Sequence, residues 1–198
     1  MPQITEYDNS QLPKSLSLSW VFEADLNEKW LQSAPDAIKN IGDKRLREFA
    51  ASRKALSELC GFHDFGQLEI QDHLYLKGHP EFKVSLSHTR GLSAAVLGEN
   101  CASVGIDIER IDRRFNPATQ KYYLTTEDRR DLTALELWCI KEAAFKAFAP
   151  LKTYQTIKDV LVLKDLNVIA ENIIFNGKEV ASWNCQKHDD LITAIAWI

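Results

Sequence analysis

Hydrophobic and polar positions change their period along the first half of the chain, and each change predicts a different element. Alternation over residues 16–25 predicts a strand. Over residues 41–62 the apolar positions recur at helical spacing, which predicts an amphipathic helix ended by Gly61. Residues 82–98 predict two apolar strands joined by a hairpin around His88-Thr89-Arg90-Gly91.

The second half shows the clearest helical pattern. Residues 125–148 predict a long helix that is capped by Thr125 or Thr126 and ended by Pro150. The strand-like segment 104–111 precedes this helix, and the remainder is rich in strand-like runs with Asn176-Gly177 as a hairpin turn. These runs are residues 159–165, 167–175, 180–186 and 191–198.

The order of elements nearly repeats. Each half offers a long helix, then strands, then a hairpin with a histidine at its bend, His88 in the first half and His188 in the second. The run LSAAVL after the first bend also resembles LITAIA after the second. Two interpretations remain open: an internal duplication, or an order common among α+β proteins. A duplication would let two similar halves pack face to face, with a cleft at their junction.

Composition excludes several classes of protein. Of the 198 residues, 45% are hydrophobic and 26% charged, which is ordinary for a globular protein. A net charge of −4 argues against a general nucleic-acid binder. The four cysteines form no C-x-x-C pair, so we expect reduced thiols in a cytoplasmic protein. We expect no signal peptide, because the N-terminal residues lack a cationic start followed by an apolar core. We also expect no membrane-spanning segment, because no apolar run approaches the about 20 residues that a span needs.

Two carboxylates interrupt the apolar segment VGIDIERI, residues 104–111. Asp107 and Glu109 stand one residue apart, so on a strand they share a face while Ile106 and Ile108 point the other way. Taken alone, this spacing is more often a solvated strand face than a metal site. The preceding glycine, Gly105, favours close approach of another backbone.

The predicted second helix carries charges on a mostly apolar surface. Trp138, Glu142 and Lys146 follow at i, i+4 and i+8 and form one stripe. A helix that is apolar almost all round is usually buried, and buried charges need partners. The carboxylate of Glu142, with those of Asp107 and Glu109, would make an all-oxygen site that suits Mg²⁺ better than zinc. A phosphate ligand would then need cationic or polar partners, for which the candidates are Lys44, Arg45, Arg53, Ser87, His88 and Lys146.

Taken together, these motifs resemble the 4'-phosphopantetheinyl transferases, of the two-half monomeric type that activates peptide, polyketide and siderophore synthases. G-x-D-x-E stands at residues 105–109, W-x-x-K-E-x-x-x-K at 138–146 and S-x-S-H at 85–88. A weaker match to K-R-x-x-E-F-x-x-x-R stands at 44–53. The similarity covers about residues 40–150, and the ordered set of motifs is far more specific than any one of them.

The resemblance implies an α+β fold of two pseudo-symmetric halves, residues 1–100 and 101–198, each a long helix packed on a small antiparallel sheet. Coenzyme A would lie in the cleft between them, its nucleotide and 3'-phosphate on the N-terminal half. The implied reaction transfers 4'-phosphopantetheine from coenzyme A to a serine of an apo acyl or peptidyl carrier protein and releases 3',5'-ADP. The enzyme would be a magnesium-dependent cytoplasmic monomer that binds neither nucleic acid nor membrane.

The resemblance also implies roles for individual residues. Asp107, Glu109 and Glu142 would be the magnesium ligands, with Glu142 also taking the serine proton. Lys146 would contact the diphosphate, with His88 beside it. The residues implied to contact coenzyme A are Arg45, Arg53, Lys77, Ser87, His88 and Lys146, of which Lys77 would lie near the adenine.

Two alternatives use the same residues. The first is a magnesium-dependent nucleoside-diphosphate pyrophosphohydrolase, and the second is a non-catalytic module that binds coenzyme A or a carrier protein. The chain departs from the family pattern in a thinned run of arginines around the first helix and in APLKTYQT, which lacks a Gly-rich turn. An acidic carrier protein would be attracted to a basic rim, for which the candidates are Arg110, Arg113, Arg114, Arg129 and Arg130.

Overall fold

The computed structural model describes residues 8–114, 116–151 and 163–198. Within these residues the strands form two antiparallel sheets of five strands each, and each sheet is covered by one long helix. The fold is therefore α+β in two similar halves, as the sequence predicts. The predicted strand at residues 159–165 lies mostly outside the described residues.

The first sheet is built from the N-terminal half of the chain. Its strands are β1 (Leu16–Phe22), β2 (Ile70–Gln71), β3 (Tyr75–Leu76), β4 (His79–Thr89) and β5 (Leu92–Gly98). They are arranged in the order β1-β5-β4-β3-β2. Three helices lie between the first two strands: α1 (Glu28–Gln32), α2 (Asp36–Lys39) and α3 (Asp43–Cys60).

The second sheet is built from the C-terminal half. Its strands are β6 (Val104–Arg110), β7 (Leu166–Ile169), β8 (Asn172–Phe175), β9 (Lys178–His188) and β10 (Leu191–Trp197). They are arranged in the order β6-β10-β9-β8-β7, and the long helix α4 (Ala134–Phe148) follows β6. Short 3₁₀ segments cover Asn9–Gln11, Glu23–Asp25, Pro117–Tyr122 and Leu163–Asp165.

The identical strand order of the two sheets favours the internal duplication. The two-residue loop after Thr89 leads to Leu92, and the two-residue loop after His188 leads to Leu191, so LSAAVL and LITAIA are equivalent strands. The predicted equivalence of the two histidines is wrong by one residue, because His188 matches Thr89. His188 is therefore buried between the sheets and lies edge-on to Trp20, whereas His88 is exposed.

Helix α3 ends where the sequence predicts. Gly61 takes a left-handed conformation with φ 72°, and its N–H donates to the carbonyl of Ser57 at 2.9 Å. Glycine adopts this conformation without the steric penalty of a Cβ atom. Ala51 and Ala55 of α3 are fully buried against the first sheet.

Helix α4 begins later than predicted. Its N-cap is Thr133, whose side chain accepts from the N–H of Glu136, while the Glu136 carboxylate accepts from the N–H of Thr133 in a capping box. The predicted start at Thr125 is wrong because Asp128 is held elsewhere. Its carboxylate accepts from the N–H groups of Thr125 and Val168, which fixes this segment as an irregular loop.

Buried apolar clusters arrange the molecule in four layers: α3, the first sheet, the second sheet and α4. Ile106 and Ile108 of β6 belong to the cluster between the sheets. The free edge of β6 also meets β4, where Ser85 Oγ and Ser87 Oγ accept from the N–H groups of Ile106 and Ile108 at 3.2 and 3.3 Å. These contacts bring the motifs of the two halves to one junction. The division of the chain after residue 100 stays a prediction.

Candidate active site

Helix α4 lies unusually close to β6, and Gly105 permits this. A Cβ atom at Gly105 would stand 1.9 Å from the carbonyl oxygen of Ala143, so no larger residue fits. The predicted close backbone approach at this glycine is confirmed. Because side chains alternate along a strand, Asp107 and Glu109 lie on the same face of β6 as Gly105, toward α4.

Asp107 joins three elements through one carboxylate oxygen. Its Oδ1 accepts from Lys146 Nζ of α4 at 2.8 Å and from Ser87 Oγ of β4 at 3.0 Å. The Lys146 ammonium also donates to Ser87 Oγ at 3.2 Å and to the carbonyl of Ile106 at 2.9 Å. Asp107 is 7% exposed, and its other oxygen, Oδ2, is buried with no hydrogen-bond partner among the described residues. A buried carboxylate oxygen without a donor is unfavourable and favours a cation or donor from a ligand.

Glu142 lies within electrostatic reach of Asp107. Burial raises the pKa of the Glu142 carboxyl, and the negative charge of Asp107 raises it further, while Lys146 and Arg113 act in the opposite direction. Trp138, Glu142 and Lys146 are all half-buried on a helix whose other residues are mostly buried, which confirms the predicted stripe.

Glu109 is engaged by a cation of the protein. Its carboxylate forms an ion pair with Arg113, whose guanidinium lies 5.2 Å from the centre of the Trp138 ring. Among residues 8–114, 116–151 and 163–198, no three His, Cys, Asp or Glu side chains are grouped closely enough to hold a metal. Convergence of three carboxylates on one ion therefore stays a prediction.

The residues present nevertheless fit magnesium. The partnerless Oδ2 of Asp107 and the neighbouring carboxylate of Glu142 are hard oxygen donors of the kind that Mg²⁺ binds. Burial is the largest cause of the raised pKa of Glu142, and the negative charge of Asp107 raises it further. A divalent cation would relieve the repulsion between the two carboxylates. Magnesium commonly takes one or two carboxylates together with phosphate oxygens, so a third protein ligand is not required.

A cleft of about 690 Å³ opens beside this cluster. Its walls come from both halves, and the polar and aromatic residues among them are Arg53, Asp72, His73, Ser85, Phe145 and Lys146. Burial lowers the pKa of Arg53 to about 10, and its guanidinium packs 4.8 Å from the ring centre of Phe49. No described carboxylate forms an ion pair with Arg53, so this cation is available for an anionic ligand.

His88 has a partner other than Lys146, and its expected place beside Lys146 at the diphosphate stays a prediction. Ser87 faces Lys146, and the next side chain along β4 points to the opposite face. His88 Nε2 instead lies 3.6 Å from the Glu48 carboxylate of α3. Arg45 at 3.4 Å and Lys44 at 3.7 Å approach the same carboxylate, so these three residues form a basic cluster around Glu48.

The remaining candidates are Lys77 and the five arginines of the basic rim that is expected to attract a carrier protein. Lys77 pairs with Glu69 at 2.8 Å and does not line the cleft, so its contact with adenine stays a prediction. Of the five rim arginines, three are engaged in ion pairs, namely Arg110, Arg113 and Arg129. Arg114 and Arg130 are exposed and form no ion pair within the described part of the chain.

Sequence reasoning missed the ion pair that supports the site. Lys141, inside the W-x-x-K-E-x-x-x-K motif, is completely buried and donates to Asp128 at 2.7 Å and to the carbonyl of Tyr123 at 2.5 Å. Burial lowers the pKa of Lys141, whereas Asp128 acts in the opposite direction. This pair fastens the loop before α4 to the helix. No periodicity marks it, because the loop residues do not follow a helical or strand spacing.

Comparison with known proteins gives one finding about this region. A family model described as the 4'-phosphopantetheinyl transferase superfamily matches residues 103–196. The match covers β6, α4 and the other strands of the second sheet, and so includes Asp107, Glu142 and Lys146. No curated protein matches the chain. In the described residues, no helix is both apolar enough and long enough to cross a membrane.

Proposed function

We propose that the chain is a member of the 4'-phosphopantetheinyl transferase superfamily, whose family model matches residues 103–196, and that it modifies carrier proteins. Enzymes of this superfamily are transferases of phosphopantetheinyl groups. The specific reaction that we propose transfers 4'-phosphopantetheine from coenzyme A to a serine of an apo acyl or peptidyl carrier protein. The observation that carries this proposal is the hydrogen-bonded cluster of Lys146, Asp107 and Ser87. Lys146 of this cluster lines the same cleft as Arg53, whose guanidinium forms no ion pair with a described carboxylate.

The cleft suits the distribution of charge on coenzyme A. That molecule carries a diphosphate and a separate 3'-phosphate, and the cleft presents separate cations on different elements, Lys146 on α4 and Arg53 on α3. Lys146 would contact the diphosphate and Arg53 the 3'-phosphate. Arg45 and His88, in the basic cluster around Glu48, are further candidates for binding the nucleotide phosphate. A volume of about 690 Å³ lies within the usual range for small-molecule sites.

Magnesium would be held by Asp107 and Glu142, with Glu109 as a third ligand if Arg113 releases it. When bound, the ion would supply positive charge against the negative charge that develops on the diphosphate. Lys146 contributes a fixed positive charge of its own, because hydrogen bonds to Asp107, Ser87 and the carbonyl of Ile106 hold its ammonium in place.

The proposed step is a displacement at phosphorus. The serine oxygen of the carrier attacks the β-phosphorus of coenzyme A, an O–P bond forms, and the bond from phosphorus to the bridging oxygen breaks. The bridging oxygen leaves on 3',5'-ADP. The serine proton would pass to the carboxylate of Glu142, directly or through water. Lys146 stabilises the charge on the departing nucleotide.

We also propose that the enzyme is a cytoplasmic monomer. Both walls of the cleft come from one chain, so a monomer would contain the whole site. The four cysteines are free, which agrees with a reducing cytoplasmic location. Arg114 and Arg130 are the exposed cations that would attract an acidic carrier protein.

Mass spectrometry of intact carriers tests this proposal. The protein would be incubated with coenzyme A, magnesium chloride and a panel of apo acyl and peptidyl carriers. We expect one or more carriers to gain a single phosphopantetheine group, with an equal amount of 3',5'-ADP. A carrier whose serine is replaced by alanine is the matched control. Production of 3',5'-ADP without carrier modification would instead favour the pyrophosphohydrolase, and binding without either product would favour the non-catalytic module.

A further inference from the structure

The second acid of the G-x-D-x-E motif already has a cation of the protein as its partner. Arg113 follows Glu109 by four residues, just beyond the end of β6, and its guanidinium forms an ion pair with the Glu109 carboxylate. The side chain of Glu109 is 11% exposed and that of Arg113 is 38% exposed. The carboxylate is thus largely removed from water, where salt screens a charge only weakly.

An aromatic side chain supports Arg113 in this position. Its guanidinium lies 5.2 Å from the centre of the Trp138 ring, within the range of a cation–π contact. The Trp138 ring is in edge-on contact with the Tyr123 ring at 5.1 Å between ring centres. Tyr123 is completely buried, and its carbonyl accepts a hydrogen bond from buried Lys141. The ring under Arg113 therefore rests on the buried part of the molecule, and Arg113 has two contacts that hold it beside the acids.

The positive charge of Arg113 also acts on the third acid of the candidate metal site. It lowers the pKa of the Glu142 carboxyl, as Lys146 does, against the larger effects of burial and of Asp107. Two cations of the protein thus accompany the three carboxylates, Lys146 at Asp107 and Arg113 at Glu109. Arg113 supplies part of the positive charge that a divalent ion would otherwise supply.

The two cations differ in how firmly they are held. The ammonium of Lys146 donates to Asp107, Ser87 and the carbonyl of Ile106, and it leaves the second oxygen of Asp107 without a partner among the described residues. Arg113 is more exposed than Lys146, whose side chain is 29% exposed, and it pairs with the carboxylate that would be the third ligand. Arg113 is therefore the cation that can move into solvent when another cation arrives.

We propose that Arg113 is an internal competitor for the metal, an inference that rests on the proposed function and deepens it. In the metal-free protein the guanidinium neutralises Glu109, which agrees with the finding that no three acids are grouped within the described part of the chain. On metal binding Arg113 leaves the carboxylate, and Glu109 becomes an oxygen ligand. This exchange lowers the affinity of the site for a metal alone. Tight binding then requires the phosphates of a ligand, which add oxygen ligands of their own.

Titration with Mn²⁺ tests the competition without coenzyme A or a carrier protein. Mn²⁺ prefers the same oxygen ligands as Mg²⁺, and electron paramagnetic resonance measures its free concentration at a fixed ionic strength. We expect Arg113→Gln to bind Mn²⁺ about tenfold more tightly than the unmodified protein, because no ion pair has to be broken. A variant that only disturbed the fold would bind the ion more weakly, so the direction of the change separates competition from a structural role.

Arg114→Gln is the matched control. It removes the same charge one residue further along the chain, where Arg114 is exposed and forms no ion pair with a described carboxylate. Its Kd for Mn²⁺ should stay within about twofold of the unmodified protein, because salt screens an exposed charge.

A double-mutant cycle with Glu109→Gln shows whether the competition takes place at this carboxylate. Without the Glu109 carboxylate, Arg113→Gln should strengthen Mn²⁺ binding by less than about twofold, since the two substitutions remove the same interaction. A tenfold gain that persists in this background would come from the general field of the arginine and would reject the proposed exchange.

The inference is also overturned if Arg113→Gln binds Mn²⁺ no more tightly than the unmodified protein, if Arg114→Gln gives the same gain, or if no variant binds Mn²⁺. The carrier assay distinguishes these failures from failure of the proposed function. Carrier modification together with an unchanged Mn²⁺ affinity in Arg113→Gln rejects the inference alone. The expected gain in Mn²⁺ affinity without modification of any carrier rejects the proposed function alone.

Discussion

Lys146 Nζ donates to Asp107 Oδ1 at 2.8 Å, and this ion pair joins α4 to the edge strand β6. The pair holds the ammonium of Lys146, which lines the cleft, and leaves the second oxygen of Asp107 without a partner among the described residues. One carboxylate can therefore orient the lysine and still offer an oxygen to a metal. Substitutions at Lys146 and at Asp107 separate these two roles.

Replacement of Lys146 tests its role in stabilising the leaving diphosphate. We expect Lys146→Met to lower kcat by about 10²-fold or more, because a preorganised charge at the reacting group is lost. Lys178→Met is the control, since Lys178 is exposed on β9 and outside the cleft. Steady-state kinetics with a modified carrier as product would check this. A variant with kcat within about twofold of the unmodified enzyme is incompatible with the proposed contact.

Replacement of Asp107 tests the metal assignment. Asp107→Asn keeps the size of the side chain but removes its charge, so the magnesium concentration for half-maximal activity should rise by about tenfold or more. Lys146→Met is the informative comparison, because it removes the ion pair but no ligand. Its magnesium requirement should stay near that of the unmodified enzyme. Equal magnesium dependence of Asp107→Asn and the unmodified enzyme would remove Asp107 from the metal site.

The titration of Glu142 in magnesium-free protein tests the proximity of the two acids. We expect its pKa to lie above the ordinary glutamate value, and Asp107→Asn to lower it, because a neighbouring negative charge favours the protonated form. Lys146→Met should raise it further, since a positive charge that favours the carboxylate is lost. The measurement is the carboxyl carbon shift of Glu142 across a pH titration by NMR. An unchanged pKa in both variants would place Glu142 away from the cluster.

Replacement of Arg53 tests its proposed contact with the 3'-phosphate of coenzyme A. Arg53→Gln should weaken the binding of coenzyme A by about tenfold to a hundredfold, the loss of a charge-assisted contact, and leave 3'-dephospho-coenzyme A unaffected. Arg47→Gln is the control on the same helix, because Arg47 is already paired with Asp43. Calorimetric Kd values for the two ligands would decide the matter. Equal losses for both ligands would mean that Arg53 does not contact the 3'-phosphate.

The buried pair of Lys141 and Asp128 predicts a large effect on stability. Lys141→Met should lower the free energy of unfolding by about 3–5 kcal/mol, because the carboxylate of Asp128 is left buried without its cation. The double variant Lys141→Met with Asp128→Leu should recover part of this loss. Urea denaturation would measure both. A loss below about 1 kcal/mol for the single variant would show that the buried charge finds another partner.

The fold follows from the sequence where local patterns decide it. Helix α3 ends at Gly61 as expected, and Asn176-Gly177 forms the tight turn between β8 and β9 with φ angles of 50° and 73°. The start of α4 could not be predicted, because Asp128 is captured by Lys141 from a position 13 residues away along the chain. Such a tertiary contact overrides a favourable helical sequence.

The site could be predicted only in part from the sequence, because some of its contacts are tertiary. Spacing alone places Asp107 and Glu109 on one face, but it does not show that the equivalent strand of the first half lacks acids. The equivalent positions of β1 pair with the equivalent strand and hold Ser19 and Val21, so the acids occur in one half only. The contact of His88 with Glu48 of α3 depends on long-range packing, which leaves no local pattern. Arg113 lies only four residues after Glu109, but the strand-like spacing of this segment gives no sign that the two side chains pair.

A crystal structure of the protein with coenzyme A and magnesium would test the central claim most directly. We predict the diphosphate beside Lys146, and a magnesium ion at about 2.0–2.1 Å from an oxygen of Asp107 and an oxygen of Glu142. The 3'-phosphate should contact Arg53 across the cleft. Coenzyme A bound elsewhere on the molecule, or bound in the cleft with its diphosphate remote from both Asp107 and Lys146, would contradict the account.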